Sequence, residues 1–306
     1  MRRYVIRRLI GLVPVLLGVI FVTMLTIELI PGDPVAIMLG ENARQEQVEA
    51  LRAHLGLDQP FPVRYVKYVG NVLTGDLGRS IQANRSVLAE IADVWPNTLL
   101  LAIAAMALAI VVGITVGIIS AIRPYGLIDT VARVVALIGL SMPIFWLGLV
   151  LLYAFAYYFR LFPVGGTGSA RHYVLPAVAL ATPSIGVLSR MTRSSLLEVM
   201  GEDFIRTARA KGLKGAKVIT GHALRNAMIP VMSVVGLQFG QLLGGAVLTE
   251  TVFSWPGLGR LTVRGIFARD YVLVQGAVLT FAMAFVFINL LIDLSYAYID
   301  PRIHYD

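Results

Sequence analysis

The chain has 306 residues, 57% of them hydrophobic and 14% charged. An ordinary soluble domain is about 45 to 50% apolar and about 25% charged, so too few charges are present to cover a water-facing surface, and the chain reads as a membrane protein. A net charge of +8 beside a mean hydropathy of +0.77 fits positively charged cytoplasmic loops better than a nucleic-acid binder, and the lack of cysteine excludes a disulfide framework, a thiolate metal site and a Cys nucleophile.

A hydrocarbon core about 30 Å thick needs about 20 apolar residues in a helix. Stretches 9–30, 97–122, 134–159, 173–189, 231–249 and 272–292 meet or approach that length and predict six transmembrane helices. The first follows MRRYVIRR. It is longer than the about 7 to 15 residues of a signal-peptide core and ends in IPGDP rather than in a small-residue cleavage site, so it is expected to be a retained span. The fourth is the shortest and carries Pro176 and Pro183. Glu28 and Asp293 lie near span ends and no charge sits at mid-span, which weighs against a proton-driven carrier.

Orientation follows from Lys and Arg in short loops. Arg2, Arg3, Arg7 and Arg8 put the N-terminus in the cytoplasm, and six spans return the C-terminus there. Loop 190–230 then falls on the same side, with eight basic residues against three acidic ones. Loop 31–96 faces outward with mixed charge. It is too long to be an idle connection, and is expected to be partly folded. Val48, Leu51 and Leu55 have helical spacing across 46–55 with Gly56 as a stop, and a second helix is expected over 62–73. This loop reads either as a cap packed on the spans or as a docking surface for an external partner.

The cytoplasmic loop has the order of a short surface helix. Glu202 and Asp203 sit where a helix N-terminus favours negative charge, Arg209 and Lys211 fall in the last turn, and Gly212 suits the left-handed stop. Phe204, Ile205 and Ala208 form an apolar side. A second helix is expected from near Ala216 through His222 and Arg225 towards Pro230. The short helix reads either as interfacial, lying on anionic lipid, or as presented to a soluble cytoplasmic partner.

In the fifth span Gly236, Gly240 and Gly244 recur at four-residue intervals, a small-xxx-small pattern for close helix packing. Gln238, Gln241 and, in the sixth span, Asn289 are candidates for lining a polar pathway, although membrane amides more often bond to a neighbouring helix. The four histidines are scattered, so no metal site is expected, and no phosphate loop, zinc pair or nucleophile elbow is present. PGLGR at 256–260 fails as a dinucleotide fingerprint, since Thr262 stands at the third glycine position. No catalytic residue is assigned, and any ATP must be bound by another chain.

Across its whole length the chain resembles the first permease subunit of the dipeptide/oligopeptide class of bacterial ABC importers, a class that includes glutathione and nickel permeases. The strings that carry the resemblance are RRL near the start, ELIPGDP at 28–34, LGLDQPFPVRY at 55–65, GDLGRSI at 75–81 and PNTLLLA at 96–102. They continue with DFIRTARAKGL at 203–213, HALRNAMIP at 222–230, FSWPGLGRL at 253–261 and RDYVLVQG at 269–276. The resemblance implies a single permease domain over 1–306 with the type I ABC importer fold: all-α, six transmembrane helices, a partly folded external loop and a cytoplasmic coupling helix. It implies a bacterial inner-membrane location among lipids, and partners in a second homologous permease subunit, two cytoplasmic ATPase subunits and an external solute-binding protein. ATP and Mg would sit on the ATPase subunits, with no cofactor on this chain. The family signature Glu-Ala-Ala-x-x-x-Gly maps onto Arg206, Thr207, Ala208 and Gly212, where only the second Ala and the Gly match. The coupling segment would comprise Asp203, Phe204, Ile205, Arg206, Thr207, Ala208, Arg209, Lys211 and Gly212. Two other readings stay open on the residues alone: a self-contained ion-coupled secondary transporter, and a non-transport membrane scaffold.

Overall fold

The structure, a computed structural model, describes residues 2–29, 35, 44–54 and 56–299. Along them run α1 (Arg2–Glu28), α2 (Gln45–His54), α3 (Phe61–Leu73), α4 (Val87–Ile122), α5 (Leu127–Ser141) and α6 (Ile144–Leu151), the last continued by a π-helical stretch, Leu152–Tyr158. Then come α7 (Ala170–Met200), α8 (Asp203–Ala210), α9 (Gly215–Val218) with a π turn at Ile219–Ala223, α10 (Leu224–Val252), α11 (Leu258–Phe267) and α12 (Tyr271–Ile299). Among the described residues the only β pairing is the bridge between Arg79 and Ser86. Length and composition allow five helices to cross a membrane, or six if one sharply bent pair counts as a span.

That bent pair is the apolar stretch 134–159. Instead of one straight helix it forms α5 and the helix Ile144–Tyr158, which meet at 106°. Proline disfavours helical backbone in the residue before it. Met142 accordingly sits at φ −78°, ψ 129°, and Pro143 precedes the first turn of α6. The fourth span is longer than its apolar run: α7 passes through Pro176 and Pro183 and continues past Arg190 and Arg193 to Met200. The helix expected to end near Pro230 instead continues, with Pro230 inside α10 and buried Ala227 and Val231 close to it on either side. Packing against neighbours compensates for the single N–H that proline lacks.

Contacts cluster into two compact units, residues 1–96 with 258–286 and residues 97–257 with 287–306. In the first, α1 contributes Ile20 and Met24, α4 contributes Val87 and Ile91, and α12 contributes Leu273 and Ala277 to one apolar core. α3 docks on α1, with Phe21 edge-on to Phe61 at 5.5 Å and the Tyr65 hydroxyl donating to the Leu17 carbonyl at 3.0 Å. Both helices expected in loop 31–96 are present, and Gly56 sits at φ +65° after the first. Residues 30–34 and 36–43, which hold most of ELIPGDP, lie outside the described residues, as do His304 and the side chains of Arg2, Arg3, Arg7, Arg8, His54 and Asp293.

In the second unit α7 is the central helix. Leu101, Ala105 and Ala109 of α4, Leu180 and Leu188 of α7, and Val231, Leu242 and Ala246 of α10 share its main core with Trp255. Small residues set the spacing. A Cβ on Gly117 of α4 would lie 2.6 Å from the Ser189 carbonyl oxygen and from Thr192, and one on Gly113 would lie 2.9 Å from Leu188. GITVG at 113–117 is therefore a small-xxx-small contact that the sequence reading passed over.

Candidate coupling site

α8 spans Asp203–Ala210, with Asp203 in its first turn and Arg209 in its last. Gly212 follows at φ +77°, the left-handed conformation in which a Cβ is unfavourable. The apolar side of this helix is divided. Ile205 and Ala208, three residues apart, are buried within the chain against Ala121 of α4, Leu196 of α7, Val218 of α9 and Ala227 of α10. Phe204 is 42% exposed, and Asp203, Arg206, Thr207, Arg209 and Lys211 are exposed as well. Arg206 pairs with Asp203 at 3.3 Å on the surface, an arrangement that contributes little stability. The surface open to a partner is thus one aromatic ring among basic side chains, while two apolar side chains root the helix on three longer ones.

The base of α7 is fixed by charge. Arg193 Nε and Nη2 donate to the two carboxylate oxygens of Asp129 at 2.7 and 2.9 Å, and the Tyr125 N–H donates to the same carboxylate at 2.8 Å. Asp129 is fully buried, with Arg133 a further 3.5 Å ion-pair partner. Parallel donors from one guanidinium fix orientation as well as distance. The Ser195 hydroxyl donates to the Ala227 carbonyl at 2.9 Å, tying α7 to the start of α10 beside α8.

The pathway and packing candidates separate. Gln238 is buried, and its Oε1 accepts from the Ser184 hydroxyl at 2.9 Å, so this amide bonds to α7. Gln241 is exposed and Asn289 half-buried. Of the three glycines, Gly236 is packed closely, since a Cβ there would run into Ile292; Gly240 is buried; and Gly244 is exposed with open space around it.

A second constellation closes α10. The helix extends beyond the apolar run 231–249 and takes in Glu250, which is fully buried. The Thr98 hydroxyl donates to its Oε1 at 2.6 Å. Glu250 occupies the space that a Cβ on Gly257 would need. In the intervening turn Trp255 donates from Nε1 to the Asn97 carbonyl at 3.2 Å, and Asn97 Nδ2 donates to the Pro256 carbonyl at 2.8 Å. The glycine of PGLGR at 257 thus makes room for a carboxylate of its own chain. Among the described residues no group of three or more His, Cys, Asp or Glu side chains is placed to hold a metal.

Comparison with known families decides what this fold is. Residues 113–305 match the binding-protein-dependent transport system inner membrane component family, and residues 1–102 match its N-terminal membrane component. The chain belongs to this family. Its relatives include the dipeptide transport system permease protein DppB of Alkalihalophilus pseudofirmus, 44% identical with both chains covered in full. The glutathione transport system permease protein GsiC of Pectobacterium atrosepticum is 43% identical, also over the whole of both chains. DppB of Escherichia coli K12 is 43% identical over all of this chain and 99% of that one. Among solved structures, an inward-facing form of the MetNI methionine ABC transporter aligns with a TM-score of 0.59 at 17% identity, covering 69% of this chain and 96% of that one. An amino acid ABC transporter aligns at 0.53 and 15% identity, over 70% and 94%. These likenesses carry the fold, which is that of a type I ABC importer permease, and the chain is a multi-pass membrane transport component. Family membership supports neither a self-contained secondary transporter nor a scaffold.

Several of the strings that carry the resemblance meet in space. Ser80 of GDLGRSI donates its hydroxyl to Asp270 of RDYVLVQG at 2.6 Å, and the Gln82 and Leu273 N–H groups donate to the same carboxylate at 3.2 and 3.1 Å. Asn97 and Thr98 of PNTLLLA bond to the turn FSWPG and to Glu250. The sequence reading passed over Asp129, Glu250 and Asp270, which lie a few residues outside the apolar stretches. Their partners are 64, 152 and 190 residues away in the chain. An acid next to an apolar run was the only local signal.

Proposed function

We propose that this permease forms half of the translocation pathway of an ATP-driven peptide importer, paired with a second homologous permease subunit. In this reading an external solute-binding protein delivers the solute, and two cytoplasmic ATPase subunits bind ATP and Mg. The single domain 1–306 lies in a bacterial inner membrane with both termini in the cytoplasm. The relatives named for dipeptide and glutathione transport support the peptide class.

The observation that carries the coupling reading is the divided face of α8. Phe204, Arg206, Arg209 and Lys211 are offered outward, while Ile205 and Ala208 are packed against α4, α7, α9 and α10. Closure of the ATPase subunits would push α8 as a rigid body. Differential contact of that surface with the two ATPase states shifts the permease between inward- and outward-facing forms. Thr207 and Gly212 shape the helix end, and Gln241 and Asn289 remain the candidates for the polar pathway, with Gln238 held against α7.

The test is reconstitution of the complete transporter in liposomes. Arg206→Glu with Arg209→Glu is expected to leave membrane insertion intact and to lower both ATPase co-purification and ATP-driven dipeptide uptake. Unchanged co-purification and uptake in that double variant would remove α8 from the coupling role. Uptake by the chain alone under an ion gradient would overturn the ATP-driven reading.

A further inference from the structure

A groove of about 440 Å³ lies in the first unit between the last turns of α1, the end of α11 and the first turns of α12. Each span lines it with one face: Thr23, Thr26 and Ile27 of α1 stand three and four apart, and Tyr271, Val274 and Val278 of α12 follow the same spacing. The threonine hydroxyls turn back on their own helix, Thr23 donating to the Val19 carbonyl at 2.8 Å and Thr26 to the Val22 carbonyl at 2.7 Å, so neither offers a donor to the groove. Such a lining suits hydrocarbon. It belongs to two helices apolar enough to cross a membrane, at the ends that the sequence assigns to the outer side.

One cation lines this groove. Arg269 is exposed and makes no ion pair among the described residues. Its backbone is held where arginine is uncommon. α11 ends in a Schellman motif: the Asp270 N–H donates to the Gly265 carbonyl at 2.9 Å and the Arg269 N–H to the Ile266 carbonyl at 3.1 Å, with Arg269 at φ +56° in the position that glycine usually fills. Both neighbours are pinned, Ala268 by the Gln82 amide at 3.2 Å and Asp270 by its bonds from Ser80, Gln82 and Leu273. Glycine would relieve the backbone there but remove the charge. Ile266 and Phe267, also exposed, put apolar side chains beside the cation, which suits the boundary between headgroups and acyl chains better than water.

From this we infer that the groove holds one acyl chain of an anionic phospholipid of the outer leaflet, whose phosphate pairs with the Arg269 guanidinium. An apolar groove alone would accept any lipid, and a cation alone any soluble anion; the two together select a charged lipid. The site uses no residue of α8 and none of the pathway candidates, and binding here needs neither ATP nor partner subunits. It is therefore measured on the full chain alone and does not stand or fall with the importer reading.

The experiment uses the full chain in phosphatidylcholine nanodiscs carrying a trace of phosphatidylglycerol or phosphatidylcholine with a photoactivatable acyl chain, and peptide mass spectrometry reads the crosslinks at residues 23–27 and 274–278. Phosphatidylglycerol is expected to label these residues about fivefold more than phosphatidylcholine, the effect of one arginine near an anionic headgroup. Arg269→Gly should equalise the two probes while keeping or raising thermal stability, a combination that a merely structural arginine would not give; should it unfold, Arg269→Gln carries the same expectation for the probes. Thr26→Trp, which fills the groove from an exposed position, should lower labelling of residues 274–278 by both probes. Arg85→Gln, at an exposed arginine that does not line the groove, should leave the preference unchanged, and water-soluble glycerol phosphate should not displace the lipid. Equal labelling by the two probes in the wild type, displacement by glycerol phosphate, a preference that survives in folded Arg269 variants, or one lost equally in Arg85→Gln would each overturn the assignment.

Discussion

Arg193 holds Asp129 through two parallel hydrogen bonds of 2.7 and 2.9 Å, joining the start of α5 to α7 some 64 residues further along the chain. Because Asp129 has no access to water, the pair behaves as a buried one, and removing one member leaves the other uncompensated. Asp129→Asn is therefore expected to cost about 3 kcal/mol, the low end for a broken buried pair because Arg193 keeps some exposure. Arg193→Lys should be milder but not silent, since an ammonium cannot reproduce the paired donors. Chemical or thermal unfolding of the purified chain measures both, and two wild-type-like curves would show that the pair adds no stability.

The glycine pairings separate positions that read alike in sequence. At Gly117 a Cβ would be 2.6 Å from backbone and side chain of α7, whereas at Gly244 it would meet nothing within 4 Å. Gly117→Ala is expected to cost about 1 to 3 kcal/mol by overpacking, while Gly244→Ala should stay within about 0.5 kcal/mol, as for an unremarkable surface change. Side-by-side unfolding of the two variants checks the difference. Equal losses would mean that Gly244 is packed as tightly as Gly117.

What the sequence revealed was what local chemistry decides. α2 and α8 are followed by Gly56 and Gly212 in the left-handed conformation, as their sequences signal, and a short segment carries its own start and stop signals. The break at Pro143 was hidden because both sides of it are apolar, so composition joined α5 and α6 into one run. α7 outruns its apolar stretch because Arg190 and Arg193 end the apolar run, whereas Arg193 is neutralised by an acid from another helix and the helix continues. The division of α8 was hidden for a related reason. Phe204, Ile205 and Ala208 share one apolar side on a helical wheel, and only the positions of Ala121, Leu196 and Ala227 decide which of them turns inward.

Tyr68 gives a pH signature. Its phenol is pushed up to about 12 from an ordinary value of 10.0, chiefly by burial and secondarily by Asp76. A pKa raised in the folded state means that the native form holds the proton more tightly than the unfolded one. The stabilisation is complete below pH 10 and is lost as pH rises towards 12. Phenolate absorbance of the folded chain, which has 12 tyrosines, should contain a late component that disappears in Tyr68→Phe. Titration of the variant identical to that of wild type would place Tyr68 among the ordinary phenols.

The sharpest separation of folding from coupling lies in two adjacent residues of α8. Ile205 is fully buried and Phe204 is 42% exposed. Ile205→Ala removes packed atoms from the cluster that roots the helix, and is expected to cost about 2 to 5 kcal/mol. Transport should fall with it only as the amount of folded protein falls. Phe204→Ala removes no internal contact of that cluster and should leave stability within about 0.5 kcal/mol. If α8 engages an ATPase subunit through its exposed face, Phe204→Ala lowers ATP-driven uptake per folded transporter, because a desolvated aromatic anchor dominates such contacts. The measurement is uptake normalised to folded permease in reconstituted complexes. A Phe204 variant with wild-type uptake, beside an Ile205 variant defective beyond its loss of folded protein, would reverse the roles and place the coupling contact on the inward side of the helix.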